Sequence, residues 1–126
     1  DRVVWFYTED RTLQPYQQMR EMARQRETQF FDGVVCYNDQ IAIEAIRALQ
    51  EEGLKVPEDV SVMGVDGLPL SSFLVPRLAT VRQTVSLLAK RSVEILLGNI
   101  ERNAPACHET VPFEILSRES IREISH

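Results

Sequence analysis

Residues 31 to 67 read FDGVVCYNDQIAIEAIRALQEEGLKVPEDVSVMGVDG, and their patterning predicts strand, helix, strand. Residues 33–37 form a short, almost unbroken apolar run, the pattern of a strand covered on both faces. Asn38 and Asp39 stop that strand. Their side-chain oxygens can accept from the orphan amides of a helix first turn. From Ile41 the apolar positions Ile41, Ala42, Ala45, Ile46 and Leu49 keep a helical spacing, with Glu44, Arg47, Gln50 and Glu51 on the wet side. Gly53 supplies the left-handed stop. Residues 56–59 turn the chain, and 60–65 read as a second buried strand. Two strands joined by a helix make a right-handed crossover and lie parallel.

That geometry bears on function, because ligands of open parallel sheets bind beyond the carboxyl ends of the strands. Asn38 leaves the first strand at that edge and Asp66 leaves the second. An amide and a carboxylate converging on one crevice can hydrogen-bond a polyhydroxylated or amide-bearing small molecule. Equally, residues at strand-to-helix junctions often do no more than cap helices and turns. Spacing alone leaves both readings open.

The same residues carry a resemblance. The run CYNDQIAIEAIRAL, followed by GLKVPEDVSVMGVD, resembles the effector-binding core of the LacI/GalR family of bacterial transcription regulators. That family shows an Asn-Asp pair, an Ala-rich helix, a Gly-Leu-x-Val-Pro-x-Asp-Val-Ser turn and strand, then Gly-aromatic-Asp-Asp. Downstream, residues 76–83 (PRLATVRQ) are similar to its Pro-Pro-Leu-Thr-Thr-Val-x-Gln segment, and residues 111–120 (VPFEILSRES) to its closing strand and Arg-x-Ser signature. The likeness runs from Asp32 to Ser120 in the right order. Three departures stand out: Gly67 replaces the second acid, Val65 the aromatic, and Arg77 the second proline.

The resemblance implies an α/β parallel-sheet fold of the periplasmic-binding-protein-like type I. Residues 1–79 would be part of its carboxy-terminal, effector-binding subdomain. Residues 80–126 would be the crossover strand, helix and final strand that in the family pack on an amino-terminal subdomain, absent here. Asn38, Asp66 and Gln83 are the implied effector contacts, with Tyr7 as the counterpart of an aromatic ring that many members place over the ligand. Ile43, Arg47, Phe73 and Leu74 are the implied homodimer contacts. Ile43 lies off the inward stripe yet is apolar, and residues 67–76 are too apolar for a loop wholly in water. Operator DNA would be a partner through a DNA-binding head outside this chain.

On either side of the core run the signals are simpler. An apolar start at residues 3–6 reads as a strand lacking an upstream part, and a polar loop follows at 8–13. Pro15 suits a helix first turn, with Tyr16, Met19, Met22 and Ala23 inward and Arg20, Glu21, Arg24, Gln25 and Arg26 outward. Val85, Leu88, Ala89, Val93, Leu96, Leu97 and Ile100 form a stripe over 85–102, with Thr84 or Ser86 as its cap. Burying a large aliphatic side chain stabilises by about 1.5–3 kcal/mol, so this helix is expected not to stand free. It should pack on a second copy, swap between chains, or fold back on its own sheet. Residues 103–106 read as a loop, 110–116 as a final strand, and His108 beside Glu109 as a solvated pair.

With 126 residues, 44% hydrophobic and 26% charged, the chain holds one domain with a real core. A net charge of −5 argues against direct DNA contact, which needs a basic face. No apolar run is long enough to span a bilayer. Cys36 and Cys107 lack metal or redox spacing, which fits a reducing, cytoplasmic setting. No Gly-rich phosphate loop, zinc-spaced Cys/His set or Gly-x-Ser-x-Gly elbow occurs, and no nucleophile has a base beside it. An enzyme, a resident metal and a cofactor are therefore not expected. The function read here is ligand sensing by a repressor that binds a small polar effector such as a sugar. The alternatives are a periplasmic sugar-binding protein of a transporter, and behind it a flavodoxin-like enzyme or receiver domain.

Overall fold

The computed structural model describes residues 14–102 and 107–123. Tyr7, the apolar start at 3–6 and the loops expected at 8–13 and 103–106 lie outside them. The elements in order are α1 (Pro15–Arg24), β1 (Gly33–Val35), α2 (Asp39–Glu51), β2 (Ser61–Asp66), a 3-10 turn (Pro69–Ser72), β3 (Ala79–Gln83), α3 (Val85–Arg102) and β4 (Phe113–Leu116). They form one four-stranded sheet in the order β1-β2-β3-β4. The first three strands are parallel and β4 runs antiparallel to β3. The strand–helix–strand unit is therefore present as the apolar pattern predicts.

Local chemistry sets the helix ends. Asn38 is the N-cap of α2, its Oδ1 accepting from the Ile41 amide at 2.8 Å. Gly53 ends the helix at φ 82°. Ala42, Ala45, Ile46, Ala48 and Leu49 of α2 are buried against Val60 and Val62 of the sheet side and Leu78 before β3. On its other flank α2 meets α1, through Met19 and Ala23. Charges expected simply to face water join that contact. Glu52 accepts from Arg24 at 2.9 Å and from Arg20 at 2.5 Å, and Tyr16 donates to Glu51. Arg26 donates to the carbonyls of Phe31 and Asp59, at 3.0 and 2.9 Å.

One expectation fails, and of the three arrangements open to α3 one is excluded. The first strand is only Gly33–Val35 and, among the described residues, lies at the sheet edge, with Val35 77% and Tyr37 87% exposed. An apolar run does not distinguish a central strand from an edge strand, since both are continuous in sequence. The α3 stripe does not fold back on its own sheet: Val85 is 65% and Leu96 58% exposed, and Leu88, Val93, Leu97 and Ile100 are exposed with them. The helix is tethered at its margins instead. Arg91 pairs with Glu109 at 2.8 Å, so Glu109 serves this tether rather than His108, and the Thr84 hydroxyl donates to the Pro112 carbonyl. Periodicity reports which face wants cover, not what covers it.

The body is locked at the amino ends of β2 and β3 by the returning chain. Ser120, fully buried, donates from Oγ to the Val62 carbonyl at 2.6 Å and accepts from the Ala79 amide at 2.8 Å. Its backbone accepts from Val62 N and donates to Arg77 O. Arg118 reaches Ser71 Oγ and the Leu78 carbonyl, and Glu119 takes two bonds from Arg77. The Arg-x-Ser signature is thus a wedge between two parallel strands. Arg77, one of the three departures, is what holds Glu119.

Candidate functional site: the carboxyl edge of the parallel strands

Asn38, Asp66 and Gln83 come out at one edge, where β1, β2 and β3 end. Asn38 is half-buried and committed through Oδ1 to the α2 cap, leaving its amide nitrogen outside that bond. The capping reading therefore holds for Asn38 without removing it from the edge. Asp66 is exposed and adopts φ 113°, a left-handed backbone that favours glycine. It caps no helix. Gln83 is exposed at the last position of β3, opposite Phe113 of β4.

Behind Asp66 lies a buried group that pattern reading assigned only to capping. The Asp39 carboxylate is fully buried, with Oδ1 accepting from the Thr80 hydroxyl at 2.5 Å and Oδ2 from the Leu68 amide at 2.7 Å. Thr80, also fully buried, accepts in turn from the Gly67 amide at 3.2 Å. Gly64 makes room for it, since a Cβ there would fall on Asp39 Oδ1. The sequence signal was a glycine inside a strand, which often marks a close approach.

The departure at residue 67 has a geometric reason. Gly67 sits at φ 70°, and a Cβ would lie 2.6 Å from Arg82 Cβ and 2.7 Å from its Cγ. The space that a second acid would enter is filled by the stem of Arg82, whose guanidinium pairs with Glu114. A hollow of about 550 Å³ lies elsewhere, at the C-terminal end of α2, lined by Gln50, Leu54, Val56, Pro57, Val75 and Glu119 among others. That is the end of α2 remote from Asn38, and none of the edge residues lines it.

The implied dimer residues lie on α2 and on the segment after the 3-10 turn. Gln50 ties the two by donating to the Val75 carbonyl at 3.2 Å. Phe73 is 79% exposed, and Arg47 is exposed with its guanidinium on Glu51. Ile43 and Leu74 are half-buried, packed on the margin of the core. Leu70 and Val75 add exposed apolar surface that a residue-by-residue reading did not single out. Among the described residues there is no group of three metal-ligating side chains and no helix long and apolar enough to cross a membrane.

The mostly parallel α/β sheet gathers polar side chains at its carboxyl edge, and residues 2–121 match the model of the periplasmic binding protein-like domain. The chain is 34% identical over 94 residues to the lactose operon repressor of Rhizobium radiobacter, covering 75% of this chain and 83% of that protein. It is 39% identical over 93 residues to the HTH-type transcriptional repressor PurR of Aliivibrio salmonicida, covering 71% of this chain and 27% of that one. Among solved structures it superimposes on a lac repressor dimer bound to operator and the anti-inducer ONPF, with a TM-score of 0.76 and 33% identity, over 85% of this chain and 37% of that one. The chain belongs to the LacI family of regulators, within its periplasmic-binding-protein-like effector-binding domain. These relatives are transcriptional repressors rather than enzymes. The chain spans about a quarter of the length of the PurR relatives that it matches.

Proposed function

We propose that this chain is the effector-sensing part of a cytoplasmic LacI-family repressor, and that its effector is a small polar molecule such as a sugar. The observation that carries the reading is the convergence of Asn38, Asp66 and Gln83 at the carboxyl edge, with Asp66 exposed on a left-handed backbone. A carboxylate, a carboxamide and a second amide nitrogen supply both donors and acceptors, the mixture that neighbouring hydroxyls require. Tyr7 is assigned to the same crevice on the family pattern.

In the whole repressor residues 1–79 belong to the carboxy-terminal subdomain, and residues 80–126 cross to a second subdomain that covers the α3 stripe. The burial along β3 supports the division, since Ala79 and Thr80 are buried while Arg82 and Gln83 are exposed. Effector bound between the subdomains shifts their relative angle only in proportion to its differing affinity for the two arrangements. A homodimer through Ile43, Arg47, Phe73 and Leu74 delivers that shift to paired DNA-binding heads on a palindromic operator.

The test is a calorimetric screen of the whole repressor against neutral mono- and disaccharides, sugar phosphates and purines, repeated with Asp66→Asn. That variant keeps shape while altering charge and donor pattern. The expected loss is about 1–3 kcal/mol of effector affinity. Unchanged affinity with the fold intact would remove Asp66 from the site.

A further inference from the structure

We infer that Asp39 and Thr80 are positioning residues, a buried carboxylate–hydroxyl pair that holds the turn at residues 66–68 and thereby aims the Asp66 side chain. The inference rests on the reading of Asp66 as an effector contact and explains how that contact is kept in place.

A non-glycine residue at φ 113° is strained and persists only where its surroundings fix it. The two amides that follow Asp66 are both taken by this pair. Gly67 donates to Thr80 Oγ1 at 3.2 Å and Leu68 donates to Asp39 Oδ2 at 2.7 Å. Thr80 has one hydroxyl proton and gives it to Asp39 Oδ1 at 2.5 Å, which leaves its oxygen to accept from Gly67. The donor and acceptor arithmetic thus allows one arrangement. Both side chains are fully buried, and bonds to an ionised group are stronger than neutral ones. Asp39 is also the first residue of α2, where the helix N-terminus favours a negative charge. The pair joins three elements: the start of α2, the second residue of β3 and the exit of β2. Gly64 completes it by leaving space for the carboxylate.

The pair can be separated from a general contribution to stability. Thr80→Val keeps the volume and removes both hydroxyl bonds, Thr80→Ser restores them, and Asp39→Asn removes one of the two acceptors. On the isotope-labelled 126-residue chain, the three-bond HN–Hα coupling of Asp66 reports its φ, and amide exchange reports the bonds of Gly67 and Leu68. In Thr80→Val and Asp39→Asn the coupling should rise towards the extended value. Exchange at residues 67 and 68 should quicken about tenfold, the size expected for a lost buried bond, while the α2 amides stay protected. Thr80→Ser should match the parent. Unaltered coupling and exchange in both disruptive variants would overturn the inference, as would an equal loss of protection throughout the sheet. Should Asp39→Asn fail to fold, the Val and Ser variants at Thr80 decide alone. No readout involves an effector, so a failure here is distinct from a failure of the effector assignment.

Discussion

Replacing Ser120 by Ala removes one oxygen atom, yet the structure makes it an expensive change. Ser120, Val62 and Ala79 are all fully buried. The hydroxyl donates to the Val62 carbonyl at 2.6 Å and accepts from the Ala79 amide at 2.8 Å. In the variant the backbone bonds of residue 120 to Val62 N and Arg77 O persist, so the wedge stays in place while the buried Val62 carbonyl and Ala79 amide each lose the hydroxyl bond. Each lost bond is destabilising by about 1–3 kcal/mol, and the pair by about 2–6 kcal/mol. A domain of this size has only about 5–15 kcal/mol in total. The assay is urea unfolding followed by far-ultraviolet circular dichroism. With an m-value of about 2 kcal/mol/M, the midpoint should fall by roughly 1–3 M at unchanged m. A loss below about 0.5 kcal/mol would refute the reasoning. It would mean that water or backbone movement satisfies both groups and that the serine is not the bond between β2 and β3.

Three further outcomes are expected. The Glu52 carboxyl is held below its ordinary value of 4.5 by hydrogen bonds from Arg24 and Arg20, and Glu51 by those from Tyr16 and Arg47. A depressed folded value means that this stabilisation is present above the ordinary glutamate range and is lost as pH falls through it. Urea midpoints should therefore drop on acidification below about pH 4.5, and less steeply in Glu52→Gln, with equal slopes counting against the α1–α2 ion pairs. The Cys36 thiol is pushed up to about 12 by burial, whereas Cys107 is exposed. A thiol reagent at pH 8 should label Cys107 quickly and Cys36 only after unfolding. Ile43→Glu together with Leu74→Glu should turn the whole repressor into monomers by analytical ultracentrifugation, and a persistent dimer would place the contact elsewhere.

Much of the candidate site was legible because its members announce themselves locally. Asn38 ends an apolar run before a helical period and Asp66 ends a second, and parallel crossover geometry sends both to one edge, whereas Gln83 was legible only through the family resemblance. Asp39 was legible only as a cap. Its partners Leu68 and Thr80 are 29 and 41 positions away, and nothing in a local pattern marks a bond made across that distance.

What the sequence by itself determined is whatever short-range physical chemistry controls. That covers the capped, glycine-terminated helix α2, Pro15 opening α1, the parallel crossover, and the motif order that marks the LacI family. Tertiary structure alone decided which apolar faces find cover. The run at β1 became an exposed edge because among the described residues only β2 pairs with it, and the α3 stripe stayed open because no other part of the described chain covers it. Tertiary structure also decided that Gly64 is space for a carboxylate, that Gly67 is space for Arg82, and that Ser120 is a link between strands 58 and 41 residues away. The physical reason is the same in each case. Periodicity and capping depend on neighbours within a turn or two, whereas burial and hydrogen-bond satisfaction depend on atoms that only the folded chain brings together.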